Sequence, residues 1–285
     1  MAPRISSYMS SPVIAVSLYD SLAHARNLML KHRVGRLVVV DDDGRPVGML
    51  TVSDLVEVLS GRLGSKSLES ILVKEVYTPE LIAVEPTKSV KTAAQLMLRH
   101  KIGGLPVIAA DGSLQGIITR TDLVRAYAER YKGEFKASDF IRREYARANR
   151  GHSVFYLMKL MMADPAGKVI IEEEGRPVGV VTKRDLAFLT IPPELLLGGS
   201  KKRIHKAKAF DRYRNKIVTL RLYLIPIAED VMTPDPITAK MDEDLAKIAE
   251  VMIREDIGVV PIVNEEGLLE GVITKLEILN ALLRV

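Results

Sequence analysis

Four short segments of this chain each place a threonine three residues before an acid, at the end of an apolar run. In each segment two glycines lie four residues apart, and the acid follows the second glycine by six residues. An acid in the first turn of a helix is favoured by the helix dipole and by the free backbone N–H groups there. The four pairs are Thr51 with Asp54, Thr119 with Asp122, Thr182 with Asp185, and Thr274 with Glu277.

Two kinds of chemistry fit this pattern. Free N–H groups beside a hydroxyl form an anion site suited to phosphate, and a carboxylate can accept both hydrogen bonds of a ribose diol. Thr51, Ser53 and Asp54 therefore offer hydroxyls for phosphate and an acid for ribose, and the second copy repeats the set with Thr121 at the position of Ser53. The same residues could simply cap a helix, and both roles can hold together.

The elements that must position these residues recur with them. Repeats 1, 2 and 4 align without gaps at offsets of 68 and 223 residues, whereas in repeat 3 only the second half fits, at an offset of 131. Recurrence of one unit at a fixed period is the signature of a repeat architecture. Each unit predicts the order β-α-β-β-α, so the expected fold class is α/β, built from four α+β repeats.

The first half of each unit predicts a short strand and an amphipathic helix. In repeat 1 the apolar residues Leu22, Ala25, Leu28 and Met29 follow helical spacing. The predicted first strands cover residues 13–16, 81–84 and 237–239.

Local signals also predict where these helices begin and end. Asp20 or Ser21 in repeat 1, and Ser89 in repeat 2, could cap the helix N-terminus. Gly35 or Gly103 would end the helix as a C′ glycine.

The second half of each unit predicts a hairpin and a closing helix. In repeat 1 a β-branched run at residues 37–40 and an apolar run at 47–51 flank a polar glycine turn at 41–44. A helix over residues 54–59 then completes the unit.

Repeat 3 departs from the others in its first half. Residues 144–151 stand where the other repeats have a strand, and the helix predicted over residues 153–163 is apolar on nearly all sides, with Lys159 its one charge. A helix of this kind is usually buried on several faces. It is expected where the two halves of the molecule meet, or else as an ordinary core helix.

Composition excludes several classes of protein. The 285 residues contain no cysteine, which excludes disulfides, thiolate catalysis and thiolate zinc ligation. No apolar run approaches the roughly 18 residues of a membrane span, and no secretory signal is evident at the N-terminus, so a cytoplasmic location without membrane association is expected. The five histidines show no metal-like spacing, and no nucleotide-hydrolase loop or catalytic triad motif is present. The charged fraction of 27% together with two Gln and five Asn indicates a heat-adapted source.

One segment concentrates the positive charge of the chain. Residues 198–224 contain nine Lys or Arg and one acid, Asp211, a local charge of +8 in a chain of net charge +5. Such a segment could contact nucleic-acid phosphates through residues 201–221, could donate cations to a cleft, or could be a solvated loop.

The four units resemble CBS domains, the modules named after cystathionine β-synthase. The resemblance rests on the β-α-β-β-α order, on the Gly-x-x-Thr-x-x-Asp ends, and on the segments at residues 103–108 (GGLPVI) and 258–263 (GVVPIV). Four such repeats without a catalytic domain look most like the γ subunit of AMP-activated protein kinase and its archaeal homologues. The resemblance implies two Bateman modules, repeats 1+2 and repeats 3+4, packed into a disc with up to four adenosine-ligand clefts.

The resemblance further implies that each cleft is shared within a module. The Thr-acid end of one repeat would face the first strand and the Gly-x-Leu-Pro-like strand of its partner. In repeats 1 and 2 the implied nucleotide-binding residues are Ile14, Ala15, Arg36, Met49, Thr51, Ser53, Asp54, Ile82, Ala83, Gly103, Gly104, Ile117, Thr119, Thr121 and Asp122.

Three of these positions have a particular physical rationale. Gly103 and Gly104 would let a ligand approach the backbone of the Asp54 cleft closely. Arg36 matches the phosphate-binding arginine of the kinase subunit and would complete the Asp122 cleft with a fixed donor fork. In the gapless alignments no other repeat has a cation at the Arg36 position.

The third and fourth clefts are predicted to be unequal. Repeat 3 offers Thr182, Arg184 and Asp185, with Lys183 as a further phosphate contact, completed by repeat 4 at Ile237, Thr238 and Gly258. In repeat 4, Thr274 is followed by Leu276 in place of the hydroxyl and by Glu277 in place of Asp. This cleft is expected to bind nucleotide poorly or not at all.

The expected function is therefore regulation without catalysis. Domains are expected at residues 1–64, 65–132, 133–197 (with a degenerate first half) and 225–285, with a basic insert at 198–224. The ligand implied by the resemblance is an adenine nucleotide (AMP, ADP or ATP), ahead of S-adenosylmethionine, acting on a regulated protein partner. A homodimer, a nucleic-acid-binding regulator and a scaffold with vestigial ligand sites stay open as alternatives.

Overall fold

The structure is a computed structural model that describes residues 3–60, 66–188 and 225–285. The basic insert therefore lies outside the described residues. Repeat 1 contains β1 (Ala15–Ser17), α1 (Leu22–His32), β2 (Arg36–Val40), β3 (Pro46–Thr51) and α2 (Val52–Ser60). Repeat 2 contains α3 (Val90–Arg99), β4 (Gly104–Ile108), β5 (Leu114–Thr119) and α4 (Arg120–Arg130).

The other two repeats follow the same order. Repeat 3 contains β6 (Arg147–Ala148), α5 (Val154–Ala163), β7 (Lys168–Glu173), β8 (Arg176–Thr182) and α6 (Lys183–Ala187). Repeat 4 contains α7 (Ala228–Val231), β9 (Thr233–Pro234), α8 (Leu245–Arg254), β10 (Val259–Val263), β11 (Leu269–Thr274) and α9 (Lys275–Arg284).

Each predicted hairpin is present, and its register is the same in all four repeats. The first hairpin residue stands opposite the threonine that precedes the closing helix, as Arg36 does opposite Thr51. A glycine with φ between 75 and 84° makes the hairpin turn, a conformation that residues with a Cβ adopt rarely. These four glycines are Gly44, Gly112, Gly175 and Gly267.

The predicted first strands are shorter than expected. In repeat 1 the strand is β1, which pairs in parallel with β2 through Ala15 opposite Val38. In repeats 2 and 4 the predicted strands reduce to single parallel bridges that involve Val84 and Ala239.

The interpretation of repeat 3 as degenerate in its first half was wrong for its secondary structure. Strand β6 pairs in parallel with β7, with Arg147 opposite Ile170, just as β1 pairs with β2. Ser153 caps α5 by accepting a hydrogen bond from the Tyr156 N–H, as Ser21 caps α1. The first half of repeat 3 aligns with repeat 1 at an offset one residue larger than the offset of its second half. A gapless alignment of the whole repeat therefore could not detect the match.

The N-terminal helix caps were predicted correctly, whereas the C-terminal ends were not. Ser21 and Ser89 accept backbone hydrogen bonds of 3.1 and 3.2 Å at the N-termini of α1 and α3, whereas Asp20 accepts one from the Ser17 N–H. The C′ glycine prediction was wrong. The residues with left-handed backbone conformation are Arg33 and Lys101, with φ of 53 and 56°. The helical conformation of α1 and α3 therefore ends two residues before the glycine.

Repeats pair within modules through the segment that precedes each first strand. We call this segment the lead-in; it covers residues 5–14, 73–82, 137–146 and 228–237. The lead-ins of repeats 1 and 2 bridge each other's hairpins, through Ser10 opposite Ile117 and Thr78 opposite Met49. In the second module Arg142 bridges Val272, and β9 pairs with β8. Repeats 1+2 and 3+4 are thus reciprocal pairs, as the resemblance implied.

Helices join the two modules. Helix α2 packs on α6, and α4 packs on α8 and α9. One core cluster accordingly combines repeats 1 and 3, through residues such as Leu55 and Leu186, and another combines repeats 2 and 4, through residues such as Tyr127 and Leu282. Each repeat contacts one neighbour through its lead-in and another through its helices, which closes a ring of four repeats.

The apolar helix α5 lies in the core shared by repeats 1 and 3, which agrees with its expected place between the two halves. Val154, Leu157 and Met161 are buried in that core. Burial does not extend around the whole helix, however, because Tyr156 and Met162 are exposed.

Candidate functional site: four clefts around a shared cation cluster

The Thr-acid ends form the same capping geometry in all four repeats. Asp54 Oδ2 accepts hydrogen bonds from the Thr51 N–H at 2.6 Å and from the Thr51 hydroxyl at 2.8 Å. The corresponding distances are 2.8 and 2.7 Å for Asp122, and 2.7 and 2.8 Å for Asp185. The capping interpretation is therefore confirmed. A single oxygen takes both bonds, so the second carboxylate oxygen takes no part in the cap.

Glu277 reproduces this cap despite its longer side chain. Its Oε2 accepts from the Thr274 N–H at 2.8 Å and from the Thr274 hydroxyl. Both residues are buried. The extra methylene thus leaves the cap intact, and the other carboxylate oxygen, Oε1, takes no part in it.

The electrostatic setting of Asp54 is not that of an ordinary surface acid. Burial raises the pKa of its carboxyl, and the two hydrogen bonds from Thr51 lower it by less. A buried carboxylate of this kind gains from any further hydrogen-bond donor that approaches its second oxygen.

The reciprocal lead-ins place each Thr-acid end opposite a partner repeat. Met49 exchanges two backbone hydrogen bonds with Thr78, at 2.9 and 3.0 Å, and Ile117 exchanges two with Ser10, at the same distances. The lead-in of repeat 2 ends at Ile82, next to Ala83, and that of repeat 1 ends at Ile14, next to Ala15. The predicted partner residues therefore belong to the segments that face each cleft.

Repeats 3 and 4 repeat this relationship. Thr182 ends β8 and Asp185 comes three residues later. Strand β8 pairs with β9 of repeat 4, and Ile237 and Thr238 follow β9 in the chain. Arg184, a predicted phosphate contact, is directed elsewhere: it pairs with Asp256 at 3.4 Å and donates to the Arg33 carbonyl at 3.2 Å.

Five cations gather where the four repeats meet. Each is partly buried, and their charges interact with one another. None forms an ion pair within 4.0 Å with an acid in the described part of the chain. We call this set the cation cluster; it consists of Arg36, Arg120, Lys168, Lys183 and Lys275.

Two of the cluster lysines reach across the helix interfaces to the hydroxyls of the clefts. Lys183 of repeat 3 donates to the Ser53 hydroxyl of repeat 1 at 3.1 Å. Lys275 of repeat 4 donates to the Thr121 hydroxyl of repeat 2 at 2.8 Å. The cluster is thus continuous with the hydroxyls predicted to contact phosphate in the Asp54 and Asp122 clefts.

Burial and mutual repulsion perturb the cluster. Burial lowers the pKa of Lys168 to about 7, with the nearby charges of Lys275 and Arg120 acting in the same direction. Burial likewise lowers the pKa of Lys275 to about 8 and that of Arg36 to about 10. Such values indicate that the positive charge is poorly compensated, and an incoming anion would relieve it.

The expectation that Arg36 has no counterpart was wrong. Lys168 stands opposite Thr182 in its hairpin, as Arg36 stands opposite Thr51, so the two cations are equivalent in register. The one-residue shift in repeat 3 concealed this, because the offset of 131 places Gly167 at the Arg36 position.

The glycine pair lies against a side chain of the protein itself. The space beside Gly103 and Gly104 is filled by the Arg36 guanidinium, and a Cβ on Gly103 would lie 2.6 Å from Arg36 Nη2. Gly258 accommodates Lys168 in the same way, with a Cβ placed 2.8 Å from Lys168 Cε. These glycines therefore make room for the chain's own cations, and the approach of a ligand to their backbone stays a prediction.

Three members of the cation cluster were not predicted from the sequence: Arg120, Lys168 and Lys275. A sequence signal was nevertheless present for Arg120 and Lys275. Arg120, Lys183 and Lys275 each follow directly after the threonine of the Thr-acid pair, whereas repeat 1 has Val52 there. A cation recurring at this position in three repeats was the signal for Arg120 and Lys275. Lys168 offered none without the strand register.

Among the described residues, no group of three or more His, Asp or Glu could hold a metal ion. No helix in that part of the chain is both long enough and apolar enough to cross a membrane.

The fold and the site together define a class of protein: a four-repeat array of two reciprocal modules, with Thr-acid clefts around a shared cation cluster. A family model described as the CBS domain matches residues 5–61, 73–129, 137–190 and 228–284. The chain belongs to the CBS domain family.

The relatives found by comparison agree with this assignment. The chain is 26% identical over 280 residues to protein MJ1225 of Methanocaldococcus jannaschii, covering 94% of each chain. The crystal structure of MJ1225, described as a candidate archaeal homologue of γ-AMPK, matches with a TM-score of 0.78 at 24% identity and covers 98% of this chain and 99% of that one. An uncharacterised conserved protein from Pyrococcus horikoshii matches with a TM-score of 0.65 at 18% identity, over 98% and 99% of the two chains. The resemblance to CBS repeats of this four-unit type is confirmed, and the archaeal relatives fit the heat-adapted composition.

Proposed function

We propose that this protein is a non-catalytic regulator that binds adenine nucleotides in the clefts of Asp54, Asp122 and Asp185. The second oxygen of each acid accepts the ribose diol, and the phosphates extend towards the cation cluster. The observation that carries the proposal is the cluster itself: five partly buried cations from four repeats, without an ion pair among the described residues, next to the Thr-acid clefts.

Phosphate is the group that this arrangement suits best. The two guanidinium forks and three ammonium groups of the cluster can donate to phosphate oxygens, and Ser53 and Thr121 already accept hydrogen bonds from the cluster lysines. A nucleotide phosphate that entered would replace the hydroxyls as acceptor and supply a negative charge beside Lys168 and Lys275, whose pKa values are lowered first by burial and then by neighbouring cations.

Regulation would follow from the position of the cluster between the modules. Because Lys183 and Lys275 connect repeats of different modules, nucleotides that differ in phosphate number bind these connections differently. A ligand shifts a conformational equilibrium only through such differential affinity. The regulated protein partner would respond to the resulting change in how the two modules are arranged relative to each other.

Calorimetric titration of the full chain with AMP, ADP, ATP, S-adenosylmethionine and adenosine tests the proposal. The expected result is saturable binding of the nucleotides and much weaker binding of adenosine, which has no phosphate. Absence of binding by every nucleotide would contradict the proposal and favour a scaffold in which the Thr-acid pairs only cap helices.

A further inference from the structure

The cleft of Glu277 contains an arginine where the other three clefts have a small hydroxyl residue. In each repeat, one lead-in residue forms a backbone bridge to the hairpin strand of the partner repeat, close to the partner's Thr-acid pair. This residue is Ser10 for the Asp122 cleft, Thr78 for the Asp54 cleft and Thr233 for the Asp185 cleft. For the Glu277 cleft it is Arg142, which bridges Val272.

Arg142 pairs with two buried acids. Its Nε lies 3.7 Å from Glu277 Oε1, and its Nη2 lies 3.4 Å from Asp164 Oδ2. The side chains of Arg142, Asp164 and Glu277 are only 20, 6 and 9% exposed. The Arg142 Nε has no hydrogen-bond partner in the described residues, so Glu277 Oε1 is the acceptor closest to satisfying it.

Both oxygens of Glu277 are therefore engaged. Oε2 is held by the Thr274 cap, and Oε1, the oxygen that would accept a ribose diol, faces the guanidinium. Asp164 is held in turn by the backbone N–H groups of Ala146 and Ala166, at 3.3 and 2.8 Å. The arginine thus sits between two acids that are themselves fixed by the fold.

The other acids differ in this respect. Within the described part of the chain, neither Asp54 nor Asp185 forms an ion pair within 4.0 Å. Asp122 Oδ1 lies 3.5 Å from Arg125, but the Arg125 side chain is 44% exposed and comes from the same helix, so it can rotate into water. Arg142 is more deeply buried and has a second acid that keeps it in place.

We infer that Arg142 closes the fourth cleft as an internal substitute for a ligand. Its guanidinium occupies the hydrogen-bonding position of a ribose at Glu277, and removal of one partner would leave a buried charge unpaired. The inference rests on the proposed function, since it concerns the number of nucleotides that the array binds. It assigns the fourth cleft a structural role, in which an ion pair replaces the nucleotide.

The test compares stoichiometry between the wild-type chain and two opposite variants, by equilibrium dialysis with labelled AMP and ATP. Arg142→Ser combined with Glu277→Asp gives the fourth cleft the lead-in serine and the aspartate of the Asp122 cleft, and we expect one additional nucleotide per chain. Ser10→Arg places a guanidinium at the equivalent position of the Asp122 cleft, and we expect one nucleotide fewer. Ser10 is exposed, so this second variant keeps the test decisive even if the double variant fails to fold.

The outcomes separate this inference from the proposed function. If the wild-type chain binds no nucleotide, the proposed function fails and the inference with it. If the wild-type chain binds four nucleotides, or if Ser10→Arg leaves the stoichiometry unchanged, the inference is overturned while the proposed function stands. An unchanged stoichiometry in a folded Arg142→Ser, Glu277→Asp variant overturns it equally.

Discussion

The Lys275 ammonium of repeat 4 donates a hydrogen bond of 2.8 Å to the Thr121 hydroxyl of repeat 2. The two residues belong to different modules, and Thr121 lies next to Asp122 in the first turn of α4. A residue next to the Asp122 carboxylate therefore takes part directly in the contact between modules. Lys183 and Ser53 form the equivalent link for the Asp54 cleft, at 3.1 Å.

Substitution of Lys275 by Met should weaken ATP binding at one of the nucleotide sites by about tenfold, or about 1.4 kcal/mol. The reason is the loss of a charge-assisted hydrogen bond to phosphate, while the apolar stem is retained. Calorimetry with ATP and adenosine measures the effect, and adenosine binding should not change. Lys247→Met is the control, because Lys247 is exposed on α8. Equal weakening of both ligands by Lys275→Met would argue against a phosphate contact.

Substitution of Asp54 by Ala should remove one nucleotide-binding event and reduce the free energy of unfolding by about 1 kcal/mol, the usual cost of a lost cap. Asp139→Ala provides a matched control, since Asp139 accepts a backbone hydrogen bond of 2.8 Å from the Lys136 N–H in the same capping geometry but on an exposed lead-in turn. The control should lose stability without losing a binding event. Binding stoichiometry and urea unfolding of both variants check the prediction. Full stoichiometry in a folded Asp54→Ala chain would show that the acid only caps α2.

The stability of the ligand-free protein should increase as the pH rises above about 7. The pKa of Lys168 is lowered to about 7 from an ordinary value of 10.5, so between these values the unfolded chain binds more protons than the folded one. Stability rises with pH under that condition. Below about 7 both states are protonated and the full penalty applies. The groups that interact with Lys168 are Lys275, Arg120, Lys183 and Asp164.

Urea unfolding at pH 7 and pH 9 measures this effect. Lys168→Met should be more stable than the wild type at pH 7, with a smaller gain in stability on going to pH 9. Lys275, whose pKa is lowered to about 8, should account for part of the increase in stability that Lys168→Met still shows between pH 7 and pH 9. The same pH dependence in the wild type and in Lys168→Met would contradict the assignment.

Nucleotide binding near pH 8 should take up protons. Phosphates close to Lys168 and Lys275 would raise the pKa values of both lysines back towards their ordinary range, so a larger fraction of each becomes protonated in the complex. Titration with ATP in two buffers of different ionisation enthalpy should give different apparent enthalpies at pH 8. The difference should diminish at pH 6, where both lysines are already charged. Identical enthalpies in both buffers at pH 8 would place the phosphates away from the cluster.

The sequence by itself determined the repeat, its β-α-β-β-α order and the four Thr-acid caps. These are local features: a turn that requires glycine, a strand of β-branched residues and a helix that begins with a capping acid are each encoded within about ten neighbouring residues. Repetition then made the signal unambiguous. The pairing of repeats into modules was available only through the family resemblance.

Tertiary structure decided which side chains meet. Lys168 became the counterpart of Arg36 only through the strand register, since a one-residue shift is invisible to a gapless comparison but reverses the side of the sheet that a residue faces. The pairing of Arg142 with Glu277 joins residues 135 positions apart and depends on a lead-in that crosses to a partner repeat. Contacts of this kind depend on how separate elements pack, and no local pattern contains that information. The caps were therefore readable from the chain, whereas the cation cluster and the ion pair of Arg142 with Glu277 were not.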